Sequence, residues 1–408
     1  MLSPYRQILA LPGALPFSAA GALARLPMSM VTISIVLLVE ARYESYTLAG
    51  QVAAAYMLAQ AIVAPQLAKL VDSRGQALIM RPALLVAMVG LGGLAMAAAA
   101  AAPALWLFLT AGIGGASIGS MGALVRARWN QVVDSGRQLH TAYSLESSID
   151  ELVFVIGPVL ATTLAASISP LSGLVIAVVA ALLGGFWFLA QRSTEPPPAG
   201  RPAAHERGSV MRSAGMLIIA AVFVLMGTIF GSIDVSTVAF AEHQDGQVWA
   251  GPVLAVFAGG SLIAGLLYGA REFTMALPKR FVIGIVLLAV GTTSFLVVNS
   301  LPLLALAGFV TGFAIAPTII AGNALVQQLV PGSRLTEGLT WVATAIGVGF
   351  AAGSSLTGAV VDAVDGHSGY LVAIGAATCA AVIAVATTGL MRRDVQRRRR
   401  TVSSTDLH

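Results

Sequence analysis

Uninterrupted apolar runs of about twenty residues or more recur along the whole chain, and they limit what it can fold into more than any other feature. Hydrocarbon offers no water to a backbone N–H or C=O, so a spanning segment must be a helix or part of a closed barrel. Barrel strands alternate polar and apolar residues over about ten positions. The runs here do not alternate, which predicts helices. Of the 408 residues 57% are hydrophobic and only 10% charged, whereas a soluble chain carries roughly a quarter charged residues. The 43 Gly and 18 Pro suit membrane helices, which pack closely through small residues and tolerate Pro.

Twelve runs reach spanning length: 14–39, 47–68, 82–102, 104–125, 142–167 and 171–190, then 214–239, 250–270, 281–299, 302–327, 338–361 and 369–390. Turn or charge signals separate them, among them Asp72-Ser73-Arg74-Gly75, Pro103, Asp134-Ser135-Gly136, Pro170, Asp245-Gly246 and Pro331-Gly332. The first run follows Arg6 as a secretion signal would. Pro12 and Pro16 interrupt it and it continues beyond any plausible cleavage point, so it is expected to stay as span one.

With the N-terminus in the cytoplasm, 21 of the 23 Lys and Arg fall in cytoplasmic segments. Only Arg42 lies outside and only Arg25 within a span, while Glu40, Glu44, Glu242, Asp245, Asp362 and Asp365 occupy the opposite loops. The positive-inside rule produces this asymmetry. Both termini are therefore expected in the cytoplasm, with the chain crossing an inner or plasma membrane. Topology also accounts for the net charge of +5, so nucleic acid is not an expected partner. Cys379 is the only cysteine, which excludes a disulfide within the chain and a cysteine metal cluster.

The longest polar stretch, Gln191 to Ser213, carries Glu195-Pro196-Pro197-Pro198 and four arginines and divides the chain in two. The expected organisation is an N-terminal six-helix bundle over 1–190, a cytoplasmic linker over 191–213, a C-terminal six-helix bundle over 214–391 and a basic cytoplasmic tail over 392–408. The halves read as copies. An acidic loop ends at Gly50 in one and Gly251 in the other, followed eighteen residues later by Ala68 and Gly269. Ala142 to Gly157 and Gly338 to Gly353 are both fifteen apart. A parallel repeat of this kind predicts a transporter with its substrate site near the membrane midplane.

The stretch Ala68 to Arg81, "AKLVDSRGQALIMR", resembles the G-x-L-x-D-R-x-G-R-R loop of the major facilitator superfamily, matching at Leu70, Asp72 and Gly75. It departs at Ala68, Ser73 and Gln76-Ala77, where Arg74 and Arg81 are left to supply positive charge. The resemblance implies the superfamily fold: all-α, integral to the membrane, twelve transmembrane helices in two six-helix bundles related by a parallel pseudo-repeat. It also implies that Asp72, Arg74, Gly75 and Arg81 form a cytoplasmic gate loop. In span five, Gly157-Pro158 resembles the hinge element of proton-coupled exporters, although Ala161-Thr162 stand where two Gly are usual. The arginine that such exporters carry in span four has no counterpart in "LWLFLTAGIGGAS".

Arg25 lies eleven residues into span one, and Asp150 and Glu151 eight or nine into span five, with Glu146 one turn earlier. Asp234 lies in the outer part of span seven. A charge at the bilayer centre costs at least about 2.5–3.5 kcal/mol, so such groups face a cavity or pair with one another. Arg25 is the natural partner of the acidic pair. Arg25, Asp150 and Glu151 are expected either to bind the coupling proton, one carboxylate of the close pair holding it, or to clamp spans one and five. Asp234 is read first as a near-interface group reaching water, with a cationic-substrate or outward proton site as the alternative. Tyr56, Asn323 and Trp341 are candidate lining residues of a substrate cavity, with ordinary packing as the alternative. Glu337 reads as an acid favoured by a helix N-terminus.

Gly115-Ala116-Ser117-Ile118-Gly119 spells G-x-S-x-G, but all five His lie outside the predicted spans, so the nucleophile would have no base and enzymatic activity is not expected. No nucleotide, zinc or haem motif appears, and no cofactor or metal is expected. The reading is a monomeric secondary transporter working by alternating access, with protons, a small substrate and the bilayer as partners. Sparse charge suggests a mostly apolar substrate, and the span-five resemblance suggests efflux. Import by proton symport is the alternative, and a non-transporting receptor or scaffold a third.

Overall fold

A computed structural model describes residues 3–200, 209–244 and 249–405, and the side chains of all these except 46, 47, 362 and 397–405. Arg201, Arg207, Asp245 and Gly246, used above for charge and turn signals, lie outside the described residues, as do the side chains of Asp362 and Arg397–Arg400.

All regular structure among the described residues is helical. A short helix, Ser3–Leu9, precedes span one, Ala14–Tyr43. Spans two to six are Tyr46–Arg74, Gln76–Ala99, Ala104–Val132, Gly136–Ser167 and Ser172–Ala190. Spans seven to eleven are Ala214–His243, Ala250–Gly269, Leu277–Val297, Leu301–Leu329 and Gly332–Val361. These eleven are long and apolar enough to cross a membrane, and the twelfth, Tyr370–Ala386, continues at a bend of 50° into Thr388–Gln396. Ile62, Val89, Met96 and Val297 are each more than two-thirds exposed, an outer surface suited to lipid rather than water.

The chain divides into two compact units, Ser3–Leu139 with Ile149–Glu206 and His140–Ser148 with Arg207–His408. In the first, span one packs on span six, two on four, and three on both four and six. In the second, seven packs on twelve, eight on ten, and nine on both ten and twelve, the same neighbours shifted by six. Spans four and ten are both interrupted, four between Ile118 and Met121 and ten between Gly312 and Ile315. At the first break Gly119 has φ +67°, a left-handed conformation that costs glycine nothing.

Small residues set the packing distance. Span seven carries Gly227 and Gly231, span eleven Gly349 and Gly353, each pair four apart and so on one helix face. A Cβ at Gly227 would overlap the carbonyl of Ile346, and one at Gly353 the carbonyl of Thr228. The two backbones therefore meet with no side chain between them, gaining dispersion contact that lipid tails cannot match. Gly157 of span five, the repeat counterpart of Gly353, instead makes room for a side chain, that of Ser29 on span one.

Gly353→Val forces these backbones apart and should destabilise the protein by roughly 3 kcal/mol, since no flexible side chain is there to yield. Gly347→Ala, where an added Cβ meets nothing within 4 Å, should leave thermal unfolding of the detergent-purified protein unchanged. Equal melting temperatures for the two variants would refute the seam.

Candidate functional site

Two buried arginines meet a partly exposed carboxylate where spans one, four and five converge. Arg25 of span one is 1% exposed and donates through Nε to its own helix, at the carbonyl of Gly21, 3.0 Å away. One terminal nitrogen then reaches Asp150 Oδ1 at 2.7 Å. Arg126 of span four reaches the other carboxylate oxygen, Oδ2, also at 2.7 Å, and donates to the carbonyl of Gly122 at 3.3 Å. Gly122 makes room for the Arg126 guanidinium and the Arg25 stem, for a Cβ there would stand 3.0 Å from the one and 3.8 Å from the other. Arg126 Nε is shielded from solvent and has no hydrogen-bond partner among the described residues.

The expected pairing of Arg25 with the span-five acids is thus realised at Asp150, and a second arginine joins it. Sequence reading ended span four at residue 125 and counted Arg126 and Arg128 as loop charges. The helix instead runs on to Val132, so both arginines are part of the spanning helix and are buried. Span four does carry an arginine, displaced beyond the break at Gly119. The Gly-Ser interruption hid the continuity, and a helix of 29 residues leaves room for charge at one end.

Glu151, half-buried, is the next residue on the helix, and Glu146 is fully buried. Near Asp150 the span-five backbone is held by Ser29, whose hydroxyl donates to the Val153 carbonyl at 2.8 Å. Pro158 has no N–H for the carbonyl of Phe154, which loosens the ladder one turn beyond. Asp234 stands apart. It is half-buried in span seven on the face of Phe230 and Val238, and among the described residues no ion pair or hydrogen bond reaches it.

The loop between spans two and three is braced from the linker. Gly75 takes φ +98° and ends span two, and Glu195 Oε1 accepts from Ala77 N at 2.9 Å, satisfying an orphan N–H at the start of span three. The N–H groups of Ala199 and Gly200 donate to the carbonyls of Asp72 and Ser73 at 2.9 and 3.2 Å. Arg81 donates to the Leu189 carbonyl at 2.9 Å, whereas Arg74 is exposed. Arg128, fully buried, donates to Gln76 Oε1 and the Gln191 carbonyl, both at 2.8 Å, and lies 3.8 Å above the Phe188 ring. Glu337, fully buried, pairs with Arg334 and accepts from Val210 N at 3.2 Å, fixing the far end of the linker. That is more than the helix-terminus role read from sequence.

Of the candidate cavity residues, Tyr56 belongs to the first unit and Asn323 and Trp341 to the second. Tyr56 is buried, and its carbonyl sits where a Cβ on Gly115 would go, so G-x-S-x-G here is a packing surface and a helix break. Asn323 is buried, and Trp341 Nε1 is shielded with no partner among the described residues.

A family model described as Major Facilitator Superfamily matches residues 17–276 and 275–405. No curated protein sequence matches. Solved structures share the fold at low identity. A bacterial homologue of the iron transporter ferroportin, in an outward-facing state, is 15% identical with a TM-score of 0.74, covering 92% of this chain and 99% of that one. The human organic anion transporter MFSD10 is 14% identical with a TM-score of 0.71, over 91% and 99%. The E. coli fucose:proton symporter FucP is 13% identical with a TM-score of 0.69, over 91% and 98%.

Asp150→Asn would leave two buried arginines without their shared carboxylate, and should destabilise the protein by roughly 3 kcal/mol. Adding Arg126→Gln removes one unbalanced charge and should restore part of the lost melting temperature in detergent. A single variant as stable as the parent would show that the cluster holds nothing together.

Proposed function

The chain belongs to the major facilitator superfamily, and we propose that it is a proton-coupled exporter of a small, mostly apolar compound, working by alternating access. The contrast between its two intramembrane aspartates carries this reading. Both oxygens of Asp150 are engaged by arginines at 2.7 Å, which suits a clamp joining spans one, four and five. Asp234, with no partner among the described residues, is the carboxylate able to take a proton from one side and give it up to the other. Glu151, beside the clamp, is a second proton carrier in this scheme, and Gly157-Pro158 is the hinge that lets span five move. Tyr56 in one unit, and Asn323 and Trp341 in the other, are each a candidate substrate contact in this scheme, and their few polar atoms fit an apolar compound. The loop around Asp72, Gly75 and Arg81, braced by Glu195, is the cytoplasmic gate. Both termini lie in the cytoplasm in this scheme, as the Lys and Arg asymmetry requires.

Import by symport is the second reading, favoured by the likeness to a fucose:proton symporter. The direction of flux under an imposed pH gradient separates the two. A thermal-shift screen selects a compound that raises the melting temperature of the folded protein, and its movement is then followed in proteoliposomes. Asp234→Asn should abolish the response to the pH gradient while substrate exchange at equal pH continues. Undiminished gradient dependence in Asp234→Asn would refute Asp234 as the proton carrier, and absence of flux in the parent would remove the transport reading itself.

A further inference from the structure

The last helix, Thr388–Thr405, leaves span twelve at a bend of 50°. At the bend the hydroxyls of Thr387 and Thr388 donate back to the carbonyls of Ile383 and Ala384, at 2.6 and 2.8 Å. Hydroxyls that donate in this way bend helices. Beyond it the helix touches spans seven, nine, ten and twelve. A helix that touches four spans after such a bend packs against the bundle instead of running straight on from span twelve.

One face holds it there. Met391 is 0% exposed and Val395 6%, one turn apart. Between them Asp394 Oδ2 accepts from Gly215 N at 3.0 Å, satisfying an orphan N–H in the first turn of span seven. Asp394 is the sole acidic residue of the helix, so its charge is spent inward. Arg392, Arg393 and Gln396 are exposed, and the helix continues through Arg397, Arg398, Arg399 and Arg400. Six arginines thus follow the last span within nine residues, about 13 Å of helix.

We propose that this tail helix is a docking surface for anionic lipid headgroups. Its apolar face and its acid are already used by the protein, and what remains of its sequence is six arginines, of which Arg392 and Arg393 are exposed. Each basic residue near an anionic surface gains attraction that adds along the cluster and is screened by salt. Planar guanidinium groups also match phosphate oxygens in pairs.

The test uses the full chain in nanodiscs, with Gln396→Cys carrying a fluorophore in a Cys379→Ser background. Quenching by headgroup spin-labelled phosphatidylglycerol is compared with quenching by the same label on phosphatidylcholine. The parent should favour phosphatidylglycerol by about fivefold or more, with the preference falling at high salt. A variant with all six arginines changed to Gln keeps Met391, Asp394 and Val395, and should show a ratio near one at an unchanged melting temperature. Arg392→Gln with Arg393→Gln alone should give an intermediate ratio, which keeps the test alive if the sixfold variant misfolds. A ratio near one in the parent, or equal ratios in parent and variants, would overturn the proposal. So would loss of the preference on adding millimolar inorganic phosphate, which would assign the site to the free anion.

Discussion

Hydrocarbon cannot donate or accept a hydrogen bond, and nearly every feature of this protein answers that constraint. Each span closes its own backbone as a helix. Because lipid is as apolar as leucine, the helices gain little by hiding apolar side chains from it and associate by approaching closely. Hence the glycine seam between spans seven and eleven and the contact of Gly157 with Ser29. The same constraint governs charge. A guanidinium kept within the spans must find acceptors, and Arg25 and Arg126 find them in one carboxylate and in the carbonyls of their own helices.

Carboxylates do a second kind of work at the helix ends. Glu195 accepts from the start of span three, Asp394 from the start of span seven, and Glu337 from the last stretch of linker before it. Each meets N–H groups with no partner inside a helix, where negative charge is favoured. The linker is therefore tied at both ends.

The apolar runs made the spans legible, and their sequence boundaries erred mainly by stopping short. Charged or polar ends such as Gln76–Arg81 and Arg126–Val132 are helical although they look like loops, because buried partners satisfy them. The pairing of Arg25 with span five followed from depth alone. Arg126 did not, since its role depends on a helix continuing past a glycine break. The braces formed by Glu195, Glu337 and Asp394 join residues more than a hundred positions apart, beyond the reach of any local pattern. The parallel repeat, faint as sequence, is plain in the way spans pair within each unit.

Where two helices touch backbone to backbone, no rotamer can change to absorb strain. Spans seven and eleven meet in this way along two turns, so neither can tilt or slide without carrying the other. They form one stiff beam. Compliance must then come from elsewhere in the same unit, and the interruption of span ten at Phe313 and Ala314 is where its backbone already yields.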